Sequence, residues 1–247
     1  MVSALSPNFG PRAPGLQIDM LVLHYTGMAS MADALARMCD PGAQVSAHYM
    51  IDEDGTVYRL VEEAQRAWHA GVSLWAGERD INSVSIGIEL VNPGHPYPGY
   101  TGGYRPFAEA QMQSLEALAR DIVVRHAIPG HRVLGHSDVA PGRKTDPGEL
   151  FDWERLARAG IGIMPAQAGG EYGPALAPGM TGGAVRDFQR SLALFGYGIG
   201  DTGVFDEETV SVTTAFQRHY RRTLVDGVAD GETRARLGSL VVQLQTM

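Results

Sequence analysis

Short apolar runs alternate with amphipathic stretches over the first 160 residues of the chain. The run DMLVLHY (19–25) is apolar and short, and reads as a buried strand. MADALARMCD (31–40) is rich in Ala, Leu, Arg and Met and suits a helix. SAHYMIDEDGTVYRL (46–60) holds two strand-like runs around Asp54-Gly55, a hairpin signal. SVSIGIELVN (83–92) reads as another strand, in which alternation puts Gly87, Glu89 and Val91 on one face and Ile86, Ile88 and Leu90 on the other. A loop rich in Pro, Gly and Tyr runs from Pro93 to Pro106, long enough to lie over a site. The longest helical pattern follows, PFAEAQMQSLEALARDIVVRHAI (106–128), and VLGHS (133–137) forms a last strand. Strands and helices thus alternate, which predicts an α/β fold with a mixed central β-sheet flanked by helices.

The pattern changes after residue 160. IGIMPAQAGGEYGPALAPG (161–179) is dense in Gly, Ala and Pro and reads as a linker. Beyond it AVRDFQRSLALFGYG (184–198) is echoed by SVTTAFQRHYRRTLV (211–225), and DTGVFDEETV (201–210) by VDGVADGETR (225–234). Each copy offers a helix with a Phe-Gln pair, a turn with Gly and acidic residues, and a Glu-Thr helical start. The chain therefore divides into a larger domain at 1–160, a linker at 161–179 and a small three-helix domain at 180–247. The second domain carries no cluster of His and carboxylates and looks like a binding module.

Composition narrows the function. The formal net charge is −8, which argues against a nucleic-acid partner, since such proteins usually present a basic face. A hydrophobic fraction of 44% supplies a real core. No apolar stretch reaches the length of a transmembrane helix, and the N-terminal residues lack the basic and apolar regions of a signal peptide. The single cysteine, Cys39, excludes an intrachain disulfide and a Cys-rich zinc site, so any metal must be held by His and carboxylates. Cys39 itself reads as a small apolar residue at a helix end.

The densest chemistry lies in VLGHSDVAPGRKTD (133–146), which crowds His136, Asp138, Arg143, Lys144 and Asp146 between Gly and Pro residues. His24, His136 and Asp146 form a set of the kind that catalytic zinc takes, three protein ligands with one position left open. Spacing alone leaves this beside a plainer reading, because lone strand-end histidines are more often satisfied by backbone carbonyls. Glu89, an acid in an apolar strand, is either an edge residue facing solvent or a buried general base with a raised pKa. Lys144 is either a solvated loop lysine or an oxyanion donor. His48 and His69, flanked by apolar residues, stand as substrate contacts, metal-supporting groups or core histidines. His95, His126, His131 and His219 receive no role.

Together LVLHYT, VSAHYMIDEDGTVYRLV, RAWHAGVS, NSVSIGIELVN and GHSDVAPGRKTDPG with the following FDW resemble the type 2 zinc-dependent N-acetylmuramoyl-L-alanine amidases, which share a fold with peptidoglycan-recognition proteins. The match spans roughly Asp19 to Arg158, and GHSDVAPGRKTDPG is nearly diagnostic by itself. The resemblance implies a zinc ion on His24, His136 and Asp146, with Glu89 and Lys144 catalytic. It places His48, His69 and Asn92 near the substrate cleft, and Arg79, beside RAWHAGVS, is a candidate contact for a peptide carboxylate. The C-terminal segment (176–240) resembles the three-helix peptidoglycan-binding domain, departing from its usual Asp-Gly at Asp201-Thr202-Gly203. The implied activity is hydrolysis of the amide between N-acetylmuramic acid, or its 1,6-anhydro form, and L-alanine in peptidoglycan or muropeptides. A non-catalytic recognition protein of the same fold is the alternative; such proteins typically lack a zinc ligand, and all three are kept here. A phage-type lytic enzyme would share the chemistry. A wall-binding module favours the cell envelope, while the missing export signal leaves the cytoplasm open.

Overall fold

The computed structural model describes residues 1–166 and 173–246. Its centre is a six-stranded sheet built from β1 (Val2–Ser3), β3 (Met20–Tyr25), β4 (Tyr49–Ile51), β5 (Val57–Arg59), β7 (Ser85–Leu90) and β8 (Val133–Gly135). The strand order is β1-β5-β4-β7-β3-β8, with β4 and β5 antiparallel and every other neighbouring pair parallel. The expected mixed sheet is present. The central strands β3 and β7 are covered on both faces, which is why they read as nearly unbroken apolar runs.

The two faces have different partners. Leu21 and Leu23 of β3 and Ile86, Ile88 and Leu90 of β7 pack under α3 (Glu109–His126) through Met112, Leu115, Ala119 and Ile122. On the opposite face Met20, Val22 and Leu134 join Trp75 and Val139 in a cluster that continues into the C-terminal helices α6 (Gly183–Phe195), α7 (Glu207–Tyr220) and α8 (Gly231–Leu244). The remaining elements are the ribbon of β2 (Phe9–Pro11) with β6 (Gln65–Ala67), α1 (Met31–Cys39), and the short helices α2 (Ile81–Val84), α4 (His136–Val139) and α5 (Trp153–Arg158). Ser30 caps α1 by accepting the Asp33 N–H, and Cys39 closes that helix.

The last strand ends at Gly135, two residues short of the expected boundary, and His136–Val139 turns once as a helix. At this turn the Asp138 carboxylate accepts the Gly135 N–H at 2.7 Å. Of the segment read as a linker, residues 167–172 lie outside the described residues; Ile163 and Met164 before them pack against the core, and Leu176 after them pairs with Ala229. The C-terminal three helices agree with the repeat pattern, and the repeat has a structural cause. Gln189 and Gln217 are both buried, each donating to the turn that follows its helix (Val204 and Val228 carbonyls), while Asp206 and Asp230 cap the next helix at Thr209 and Thr233.

Candidate metal centre and cleft

His24 is the penultimate residue of β3 and Glu89 the penultimate residue of β7, and the register sets them directly side by side. Both project from the face opposite α3, as the alternation in β7 requires. His136 opens α4 immediately beyond β8, the strand on the other side of β3. The chain then loops through Pro141 and Gly142 and returns, so that the Asp146 carbonyl accepts the Ser137 N–H at 2.9 Å. Three buried atoms converge there: His24 Nδ1, His136 Nδ1 and Asp146 Oδ2, each 3.0 Å from the other two.

Protons explain what this triangle needs. His136 Nε2 faces the Ala70 carbonyl at 3.0 Å and must donate to it, which leaves Nδ1 bare in the neutral ring. Ser85 gives its single hydroxyl proton to the Ile81 carbonyl at 2.5 Å, so it can only accept from His69 Nε2 at 3.1 Å. His69 Nδ1 is then bare and accepts from His24 Nε2 at 3.0 Å, which leaves His24 Nδ1 bare as well. Two imidazole lone pairs and a carboxylate oxygen therefore face one point with no proton between them. Burial lowers His24 to about 4 and so favours the neutral ring that a metal requires. Asp146 is buried beside the two histidines, its Oδ2 turned to the same point. Metal bonds of about 2.0 Å at the tetrahedral angle place ligand atoms about 3.3 Å apart, close to the spacing seen, so the residues fit a zinc-sized cation.

Glu89 Oε2 is buried without a hydrogen-bond partner, and burial, reinforced by Asp146, pushes its carboxyl well above the usual range. Glu89, Lys144, His136 and Asp146 all line one cleft of about 770 Å³, within the usual range for a ligand site.

Residues 14–149 match the N-acetylmuramoyl-L-alanine amidase family, and residues 181–237 match a peptidoglycan-binding domain family. The N-acetylmuramoyl-L-alanine amidase AmiD of Escherichia coli is 40% identical over 89% of this chain and 80% of its own length. The chain belongs to the N-acetylmuramoyl-L-alanine amidases. The 1,6-anhydro-N-acetylmuramyl-L-alanine amidase AmpD of Haemophilus influenzae is 35% identical over 61% of this amidase and 86% of its own length. Among solved structures, the complex of E. coli AmiD with anhydro-N-acetylmuramic acid-L-Ala-D-gamma-Glu-L-Lys superposes with a TM-score of 0.79 at 36% identity, covering 94% of this chain and 92% of that one. AmpDh3 of Pseudomonas aeruginosa gives 0.77 at 30% identity, covering 99% and 100%.

The amidase distributes the other sequence candidates differently. His69 stands behind His24 at the back of the cleft and reaches the centre through that ring. His48 is fully buried away from the cleft, its Nδ1 accepting the Gly87 N–H and its Nε2 facing Gln65 and Arg12. Asn92 is also buried; it donates to the Arg105 carbonyl and accepts the Gly94 N–H, so it braces both ends of the 93–106 loop. Arg79 is exposed and does not line the cleft. Several cleft residues escaped the sequence reading. His95 lies in the cleft wall with the tilted ring of Tyr104 4.1 Å from its own, and Tyr25 donates or accepts between His95 and Thr145. Arg143 donates to the Ala70 and Val72 carbonyls. Aromatic density in the loop was the available signal; its contact with Tyr25 was not. His219 lies buried against Asp138 of the loop that carries His136 and Asp146, although α7 reads there as a polar surface.

Proposed function

We propose that this amidase hydrolyses the bond between the lactyl group of N-acetylmuramic acid, or its 1,6-anhydro form, and L-alanine, with zinc held by His24, His136 and Asp146. The observation that carries the metal is the triangle of three ligand atoms 3.0 Å apart, which the surrounding hydrogen bonds leave without protons and which a cation relieves. The anhydromuramic peptides bound in two relatives, as the substrate of AmiD and in complex with AmpDh3, support the bond chosen. Zinc in such a site supplies Lewis acidity that acidifies water and polarises a carbonyl oxygen.

The protein's own groups do the rest. Glu89 holds its unpartnered Oε2 toward the cleft, where it takes a proton from the attacking water and returns it to the departing amine of L-alanine. Lys144 brings its ammonium into the same cleft and neutralises charge gathering on the carbonyl oxygen. His69 orients His24 by accepting its Nε2 proton, and Ala70 does the same for His136. The tyrosine and histidine wall at Tyr25, His95 and Tyr97 offers flat faces to a sugar ring. Residues 1–160 form the catalytic part and 180–247 the part that holds wall strands; no helix among the described residues is long and apolar enough to cross a membrane, and we place the enzyme at the cell envelope.

Metal content of the purified protein, with release of the stem peptide from a muropeptide followed by mass spectrometry, tests the proposal. One zinc per chain and chelator-sensitive release of a peptide beginning at L-alanine are expected. Binding of wall fragments with no zinc and no release would make the chain a recognition protein instead.

A further inference from the structure

The HSDV turn contains a buried acid that the chemistry above does not use. Asp138 is fully buried and lies two residues beyond His136. Its Oδ2 accepts the Gly135 N–H at 2.7 Å and the His219 Nδ1–H at 2.7 Å, and its Oδ1 accepts the Tyr197 hydroxyl at 2.6 Å. Two of these three donors come from the C-terminal unit. We infer that the C-terminal helical unit is a supporting part of the active site: Tyr197 and His219 clamp Asp138 and are positioning residues for the metal-ligand loop 135–146.

A buried carboxylate is costly unless donors surround it, so the loop holds this shape only while Tyr197 and His219 are in place. Both donors are themselves fixed. His219 stacks on Trp153 with ring centroids 3.7 Å apart and on Tyr220 at 3.8 Å. Tyr197 meets Trp75 edge-on at 4.9 Å. The backbone ties the two units once more, Ala76 N–H to the Gly196 carbonyl at 2.7 Å, and within the first unit the Leu74 N–H holds the loop at the Val139 carbonyl, 2.8 Å away. Farther round the loop, Gly142 lies so close to α7 that a Cβ there would be 3.0 Å from Ser211 Oγ. The loop is therefore braced at Asp138, Val139 and Gly142 before it delivers Asp146. A module that holds the wall and also braces a metal ligand would transmit strain from one to the other without a separate hinge.

The zinc part of this inference rests on the function proposed above; the loop part does not, and the test separates them. Hydrogen exchange of peptides covering 136–146 is to be measured on the full chain, with zinc and with chelator, for wild type, Tyr197→Phe, His219→Leu and His219→Asn. Zinc affinity is read in parallel by competition with a chromophoric chelator. Tyr197→Phe and His219→Leu are expected to speed exchange in 136–146 about tenfold, to weaken zinc binding about tenfold and to lower kcat more than they raise KM. His219→Asn, whose amide N–H replaces Nδ1–H, is expected to restore most of the protection. Unchanged exchange in 136–146 in both disruptive variants overturns the inference, as does a rise spread evenly over the whole chain. Faster exchange confined to the loop in a protein that holds no zinc supports the brace and sinks the zinc reading. Tyr197→Phe loses one hydroxyl and keeps its ring packing, so it serves even if His219→Leu fails to fold.

Discussion

Gly87 has no side chain because His69 fills the space: a Cβ would lie 2.5 Å from the imidazole Cγ. Gly87→Ala should therefore push His69 off His24 and weaken zinc binding by roughly tenfold, measurable by chelator competition. Glu89→Gln keeps the shape of the site and removes the proposed base. It should cut turnover by about 10²–10⁴-fold while zinc content stays near that of wild type; a variant that keeps its turnover would remove Glu89 from the mechanism. At this scale the sequence was most legible where residue type and position agree. A histidine ending an apolar strand, an acid in the middle of one and a Pro/Gly loop rich in charge all pointed to the place where His24, Glu89, His136 and Asp146 meet. His48 and His69 share the same apolar flanks in sequence. One lies off the cleft bound to Gly87 and Arg12 and the other supports His24, a distinction that depends on which strand each faces.

Among the elements, the longest helix is tied to the sheet by one carboxylate. Glu63, just beyond β5, accepts from Arg125 at 2.7 Å and His126 at 2.7 Å on α3 and from Tyr49 at 2.7 Å on β4. Burial opposes its charge, but the bonds from Arg125, His126 and Tyr49 outweigh it and lower the carboxyl to about 2. The unfolded value is about 4.3, so the stabilisation is fully present above that pH and is lost as pH falls through about 2. After discounting for solvent screening, the cluster contributes about 1–2 kcal/mol. The melting temperature of wild type should fall between pH 5 and pH 2 more steeply than that of Glu63→Gln, and parallel curves would assign the acid sensitivity elsewhere. The strands β3 and β7 and the helices α1, α3, α6, α7 and α8 were legible because burial imposes a period on their sequences. The ribbon of Phe9–Pro11 with Gln65–Ala67 was not, being short, half-exposed and without alternation.

For the whole molecule, one apolar cluster runs from Met20 and Val22 of the sheet through Trp75 to Phe195, Phe216 and Tyr220 of the C-terminal helices. A core shared in this way predicts one cooperative calorimetric transition for the chain. Two resolved transitions would mean that the halves fold independently. Trp75 is fully buried between them, and Trp75→Ala should cost about 3–5 kcal/mol and lower that single transition as a whole. Chelator should lower it too, since an ion bound only by the folded state stabilises it by about 2.7 kcal/mol when its concentration is a hundred times Kd. Local pattern determined which segments become strands and helices and which residue types could serve metal and proton chemistry, because periodicity, turn residues and ligand type are all properties of short stretches. The tertiary structure alone decided that His69 stands behind His24, that Asp138 is held by Tyr197 and His219, and that a module read as separate packs into the same core. Those relations join residues far apart in the chain, and their energy comes from burial and hydrogen bonds that exist only once the two halves have met.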